Sequence, residues 1–293
     1  MLLTVKQMQV NYGSQRALDI TRPIVFGEGE RIGVIGSNGA GKSTLVKALL
    51  GLVPYQGSVV TQLKKEDMAV HMQYNEYAQT MAVKHIMEML LNTRIRENRE
   101  LLDLIAFFGF EGCLNKRYRA LSGGEKQKFT IILVMMQKAR LTIYDEVTSG
   151  LDFETRQRLM ERLVKWYQDK EDTLLVISHY YDELEHLADK LLVLDQGRVV
   201  AYGGKDELFH TYCGRVIYVI DNQEANRKIA AGFRLIKAPE HLLAISAGSR
   251  EEEEKITSVL LNNDVNFKRS HSDMEIMFMN AKERFYQEQE GQL

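Results

Sequence analysis

Gly36-Ser37-Asn38-Gly39-Ala40-Gly41-Lys42-Ser43-Thr44 is the stretch on which the reading of this chain turns. It fits the pattern G-x-x-x-x-G-K-[ST], and it stands between a strand-like apolar run, Arg31–Ile35, and a segment of helical spacing, Lys42–Leu50. Glycines let the backbone curl until consecutive N–H groups point at one phosphate, and the start of a helix adds positive potential there. Lys42 is then placed to reach the outer phosphates of a nucleotide, and the Ser43 hydroxyl to hold Mg²⁺. The plain alternative is a glycine-rich turn that merely joins strand to helix, and the flanking elements disfavour it. By itself the loop identifies only a nucleotide phosphatase or kinase.

Working outward, Leu2–Val10 and Ala17–Phe26 are β-like, with further strands at Gly57–Val60 and Met68–Met72. From Met81 to Lys138 the spacing turns helical, in Met81–Leu91, Leu101–Phe108 and Gly124–Gln137. Strand-like runs return at Leu141–Tyr144, Thr173–Ser178 and Leu191–Leu194, separated by helical Phe153–Tyr167 and Tyr180–Leu187. Strands alternating with helices of this length predict an α/β fold: a mainly parallel sheet covered on both faces, with a β-rich N-terminal part and a helical insertion over about 74–138. A weaker α/β pattern begins after Thr211, which divides the chain into 1–211 and a small C-terminal α/β domain, 212–293.

The bulk numbers bound the function. A chain of 293 residues accommodates one large domain with a smaller companion, and an apolar fraction of 45% is ordinary for a packed protein. The 38 basic and 40 acidic residues are interspersed, net −2, with no basic stripe, so nucleic acid is not an expected partner. Cys113 and Cys213 form no Cys-x-x-Cys and read as thiols in a reducing compartment. Lys6, Arg16, Asp19 and Arg22 interrupt any signal-like N-terminus. The longest strongly apolar run, Phe129–Met136, is far short of the ~20 residues that cross a bilayer. The chain therefore reads as soluble, and a membrane role would need a partner to supply the spans.

Leu121-Ser122-Gly123-Gly124-Glu125 is a second informative stretch. Ser122-x-x-Glu125 is a capping box, which by itself means only a helix start. The two glycines are not explained that way, because each costs about 1 kcal/mol relative to alanine within a helix. Something must approach that backbone closely, and an anion at the helix N-terminus is the obvious candidate. Further on, a buried-type strand, Leu141–Tyr144, runs into Asp145 and Glu146. Adjacent strand positions face opposite ways, so the two carboxylates are expected to do different work. They stand at the C-terminal edge of a parallel sheet, where ligands of such folds bind.

Together these stretches resemble the phosphate-binding P-loop, signature and Walker B motifs of ABC ATPases, in family order. The resemblance implies a P-loop NTPase core that binds ATP with Mg²⁺ and hydrolyses it. It implies that Ser37, Asn38, Gly39, Ala40, Gly41, Lys42, Ser43 and Thr44 hold the nucleotide. It further implies that Asp145 joins Ser43 around Mg²⁺ and that Glu146 is the general base for the attacking water. By the same resemblance Ser122, Gly123 and Gly124 are expected to face the γ-phosphate bound by a second subunit, in a head-to-tail dimer, and Asp152 of Ser149-Gly-Leu-Asp152 matches the loop that touches that subunit. His179 matches the switch histidine. Gln73 matches the glutamine that senses Mg²⁺ and links the core to the helical insertion, and Tyr12 matches the aromatic that stacks on adenine. A lone histidine after a strand is more often structural, but the position of His179 after the acidic pair, in family order, weighs the other way; a single aromatic such as Tyr12 is more often core. His186, Asp182 and Glu185 read as a solvated helix face.

The likeness covers residues 1 to about 211. Val147 replaces the usual proline after the acidic pair, which is expected to loosen that turn and slow hydrolysis. Lys128 replaces a frequent arginine, and Glu125 is a common variant of glutamine. Family members that act in translation carry two such domains, and those of DNA repair are split by a coiled coil; one intact domain without heptads resembles the transporter ATPases instead. The expected partners are a membrane permease and a second ATPase subunit, most simply another copy, at the cytoplasmic face of the membrane. The tail, with Leu242–Ser246, Arg250–Leu261 and Ser272-Asp-Met-Glu-Ile-Met-Phe278, is similar to the C-terminal domain of ATPases serving ABC-2 type exporters. Export of a peptide, antibiotic or lipid-like substrate is the expectation, with import the alternative.

Overall fold

The computed structural model describes residues 1–72 and 75–291. Its first half runs β1 (Leu3–Tyr12), β2 (Gln15–Ile20), β3 (Ile24–Phe26), β4 (Arg31–Ile35), α1 (Lys42–Leu49), β5 (Gln56–Thr61) and β6 (Met68–His71). Three helices follow, α2 (Val83–Leu90), α3 (Arg99–Phe108) and α4 (Gly123–Met136). The core resumes with β7 (Leu141–Asp145), α5 (Phe153–Tyr167), β8 (Thr173–Ile177), α6 (Tyr181–Leu187), β9 (Lys190–Asp195) and β10 (Arg198–Gly204). The chain then forms α7 (Lys205–Cys213), β11 (Val216–Asp221), α8 (Glu224–Ala230), β12 (Leu235–Ile236) and β13 (Leu242–Ala247). It ends with α9 (Arg250–Asn262), β14 (Lys268–Ser270) and α10 (Met274–Glu290).

The central sheet has the order β10-β9-β4-β8-β7-β6, parallel except for β10 at one edge. Its inner strands β7 and β8 are buried at every position. That is why they are continuous apolar runs rather than alternating ones: helices cover both faces. Helix α6 lies so close over β4 that a Cβ on Gly33 would meet the Ala188 Cβ at 3.0 Å. The second sheet is antiparallel, β2-β1-β3, with β5 also pairing β1 from Leu3 to Gln9. The expected single run Ala17–Phe26 is two strands, because Pro23 lacks an N–H for the ladder and fixes its own φ.

The third sheet, β12-β13-β11-β14, is antiparallel and belongs to the C-terminal part. The expected boundary between 211 and 212 falls inside α7, not in a linker. Buried Cys213, Ile217, Met277 and Ala281 join the same apolar cluster as Leu184, Leu187 and Leu208. Helix α10, which opens in the Ser272–Phe278 stretch, packs back against α7, β10 and α6. Asp273 starts it by accepting the Ile276 N–H at 3.1 Å. Among the described residues no helix is long and apolar enough to cross a membrane.

Candidate functional site

The loop between β4 and α1 is shaped by its two end glycines. A Cβ on Gly36 would lie 2.4 Å from the Leu194 carbonyl, and one on Gly41 2.8 Å from that of Ala17, where φ is +98°. Gly41 occupies the N-cap of α1 and offers no side chain to the first turn, so the helix N–H groups there are left for a ligand. The Lys42 ammonium folds back over the loop, donating to the carbonyls of Gly36 at 2.7 Å and Ser37 at 3.1 Å. Lys42 is only 5% exposed. Burial lowers its pKa, and the nearby Glu146 and Asp145 charges oppose that shift.

The two acidic residues are separated by backbone geometry, not by strand alternation. Strand β7 stops at Asp145, and Glu146 takes a left-handed conformation, φ +52°. Its N–H donates to the Ile177 carbonyl at 2.9 Å, so the chain leaves the sheet pinned to β8. Asp145 is 1% exposed, and its Oδ1 has no hydrogen-bond partner among the described residues. Burial raises its pKa, against a hydrogen bond from Ser43. The Glu146 carboxylate sits 2.6 Å from His179 Nε2, just beyond β8.

The turn after Glu146 is firmly held despite Val147. That side chain is buried, the Ser149 N–H donates to the Glu146 carbonyl at 2.9 Å, and Thr148 Oγ1 donates to buried Glu183 at 2.7 Å. Glu183 also accepts from Ser178 Oγ at 2.6 Å, tying the segment before His179 to the segment after Glu146. Nothing in the sequence singled out Glu183, since its partners come from two other elements.

An open cleft of about 490 Å³ gathers Asn38, Gly39, Ala40, Gly41, Lys42, Ser43, Thr44, Glu146, His179 and Tyr12. That volume is within the range of small-ligand sites. Tyr12 is 47% exposed at the end of β1. Gln15, Arg16, Ala17 and Gln196 line the cleft as well and were not expected from sequence. The only signal that could have found them was proximity in sequence to Tyr12 for the first three.

Several expected residues lie elsewhere. Ser37 does not line the cleft; its hydroxyl turns behind the loop and donates to Asp195 at 2.9 Å. Ser122, Gly123, Gly124 and Asp152 do not line it either. Ser122 and Glu125 form the reciprocal capping box of α4, at 3.2 and 2.8 Å. Hydrogen bonds from Lys116, the Ser122 N–H and Cys113 hold Glu125 down at a pKa of about 2. Asp152 caps α5, accepting from the Thr155 N–H and hydroxyl at 3.0 and 2.8 Å. Glu185 is not a free solvated group, since Ser272 Oγ donates to it at 2.6 Å. Gln73, expected as a catalytic and Mg²⁺-binding residue, lies outside the described residues, as does Tyr74.

Residues 24–149 match the family model for the ABC transporter domain. Over 281 residues the chain is 26% identical to the linearmycin resistance ATP-binding protein of Bacillus subtilis strain 168, covering 88% of this chain and 89% of that one. Over 199 residues it is 33% identical to a methionine import ATP-binding protein of Corynebacterium diphtheriae, covering 62% of this chain and 58% of that one. A solved structure described as the ATP-binding subunit of an ABC transporter superposes with a TM-score of 0.65 at 26% identity, over 72% of this chain and 93% of that one.

Proposed function

We infer, from a chain that carries the ATP-binding, ATP-hydrolysing domain of ABC transporters, that two copies close around two Mg-ATP to drive a separate membrane permease. One observation carries the dimer. The glycines of the α4 start are away from the phosphate cleft, and a Cβ on Gly123 would meet nothing within 4 Å among the described residues. The chain's own packing does not call for glycine there, and the open helix N-terminus leaves room for a group from outside the chain. A γ-phosphate presented by a second copy fits the helix N-terminus.

Within the cleft, the loop N–H groups and Lys42 bind the phosphates. Asp145 and Ser43 offer oxygen donors, one of them an orphaned carboxylate oxygen, which suits a hard cation such as Mg²⁺. Ser43 and Asp145 would hold Mg²⁺ there, with Gln73 as the resemblance implies, and the ion would neutralise phosphate charge. Glu146 accepts a proton from the attacking water as its oxygen bonds to the γ-phosphorus, and the bond to ADP breaks in line. His179 holds the Glu146 carboxylate in place. Closure moves α2, α3 and α4 with whatever permease segment docks on them near Tyr74–Tyr77. Tyr77 is stacked edge-on to Tyr118 and Phe129, so motion of that loop is transmitted to the helices.

Export of a peptide, antibiotic or lipid-like substrate is favoured by the extent of the likeness to the linearmycin resistance protein, which takes in most of the C-terminal part. Import is the second reading, favoured by the higher identity to the methionine import protein over a shorter span. Both place the chain at the cytoplasmic face of a membrane. The deciding experiment is to isolate the tagged chain from detergent-solubilised membranes of its host. A stoichiometric polytopic partner is expected, and its topology separates export from import. Recovery with ribosomes or DNA instead would refute the transport reading while leaving the ATPase intact.

A further inference from the structure

Asp195, the last residue of β9, is 1% exposed and has no place in the chemistry above. Its carboxylate is nevertheless fully engaged. Ser37 Oγ donates to one oxygen at 2.9 Å, the Tyr286 hydroxyl to the other at 2.7 Å, and Lys282 Nζ lies 3.1 Å from both. Lys282 and Tyr286 are four residues apart on α10 and so share one face of it. Two distant parts of the sequence, the phosphate loop and the C-terminal helix, thus meet on one buried charge.

The surrounding contacts make this a frame and not an isolated pair. Just beyond Asp195, Gln196 lines the cleft, and the Gly197 N–H donates to the Ala40 carbonyl of the loop at 3.1 Å. Helix α10 is fixed independently: Asn280 exchanges hydrogen bonds with the Lys237 backbone at 3.0 and 2.9 Å, and Arg198 donates to Gln289 at 2.7 Å. On the loop side, the Ser37 carbonyl receives Lys42. A continuous chain of polar contacts therefore runs from α10 through Asp195 and Ser37 to the phosphate-binding lysine.

A buried carboxylate needs compensation, and one hydroxyl does not supply it. Burial alone would raise the Asp195 pKa, but the hydrogen bonds from Tyr286, Lys282 and Ser37 bring it below the usual range. Without the two α10 donors the carboxylate must take up a proton or turn toward water, and either change weakens its hold on Ser37.

We propose that Lys282 and Tyr286 are positioning residues for the phosphate loop, acting through Asp195 on Ser37, so that the C-terminal helix sets the affinity for the nucleotide phosphates. The inference rests on the cleft being the ATP site. It assigns the C-terminal part a role in nucleotide binding within the same chain, whatever it does toward a permease.

The test uses the full chain carrying Lys282→Met with Tyr286→Phe, and reads the ATP dissociation constant by titration alongside kcat and KM. Both binding constants are expected to rise about tenfold, with kcat changed less than about twofold, the loss of one or two charge-assisted hydrogen bonds. Ser37→Ala should weaken binding comparably, and adding the α10 pair to Ser37→Ala should weaken it no further, because both break one path. Arg284→Ala on the same helix, and Lys282→Arg, should bind as the parent does. If the double variant does not fold, Tyr286→Phe alone keeps the ring packing and is expected to shift affinity about threefold. Unchanged affinity in a folded variant, or effects that add in the Ser37→Ala background, would overturn the inference. A parent chain that binds no ATP would instead sink the functional reading on which it rests.

Discussion

His179 Nε2 lies 2.6 Å from a Glu146 carboxylate oxygen, although the two follow different strands. The parallel register explains the meeting: Asp145 of β7 pairs with Ile177 of β8, so the residues just past each partner leave the same sheet edge together. The left-handed turn at Glu146, pinned by its N–H to Ile177, then aims the carboxylate into the cleft and not along the strand.

Glu146→Gln keeps the shape and removes the proton acceptor. Steady-state phosphate release is expected to fall by roughly 10²–10⁴-fold while ATP binding persists. Turnover equal to the parent's would remove Glu146 from the role of base.

Gly123→Ala separates the dimer reading from helix capping, which Ser122 confounds. A methyl at Gly123 has open space, and alanine is favoured over glycine in a helix by about 1 kcal/mol. The variant should melt no lower than the parent and bind ATP as a monomer. It should lose at least about tenfold in turnover, about 1.4 kcal/mol, by crowding the phosphate of the partner copy. Size-exclusion chromatography with ATP, in a Glu146→Gln background, should show the dimer population lost; an undiminished dimer would count against the assignment.

Glu183→Ala removes the acceptor for the Thr148 and Ser178 hydroxyl protons in a buried site. Unpaired buried polar groups cost about 1–3 kcal/mol each before relaxation, so urea unfolding should show a loss of roughly 2–4 kcal/mol. Turnover should fall too, since those hydroxyls flank Glu146 and His179. A loss below about 0.5 kcal/mol would mean that the network contributes little to the fold.

His71 provides a pH prediction. Burial holds its pKa at about 4, against 6.5 for an ordinary histidine. Between those values the unfolded chain takes up a proton that the folded chain refuses. The stability is therefore present above pH ~6.5 and is lost progressively as pH falls toward 4, by roughly 3 kcal/mol in all. In His71→Phe the stability difference between pH 7 and about pH 4.5, from urea titrations, should shrink by a kcal/mol or more. An unaltered pH dependence would show that His71 is not the titrating group.

The path of the loop was legible because it is local. Gly36 to Thr44 specify their own backbone path and the helix that follows, as Leu141–Asp145 specify a strand with both faces covered. The capping box at Ser122 and Glu125 was legible for the same reason. The reading of Asp145 and Glu146 as opposite faces of one strand reached the right separation by the wrong geometry. A left-handed residue with a side chain is favoured by nothing nearby in sequence, and it is held by a hydrogen bond that its own N–H donates to the Ile177 carbonyl of a neighbouring strand.

The sequence alone determined the glycine-rich loop, the adjacent carboxylates and the alternation of strands and helices, since each depends on residues within a few positions of one another. Tertiary structure alone decided that Ser37 turns away from the cleft toward Asp195, that Glu183 joins the turns after β7 and β8, and that α10 packs back against α7, β10 and α6. Those facts depend on buried charges and hydroxyls finding partners from distant elements. A chain reveals that it contains such groups, but only its packing fixes which of them meet.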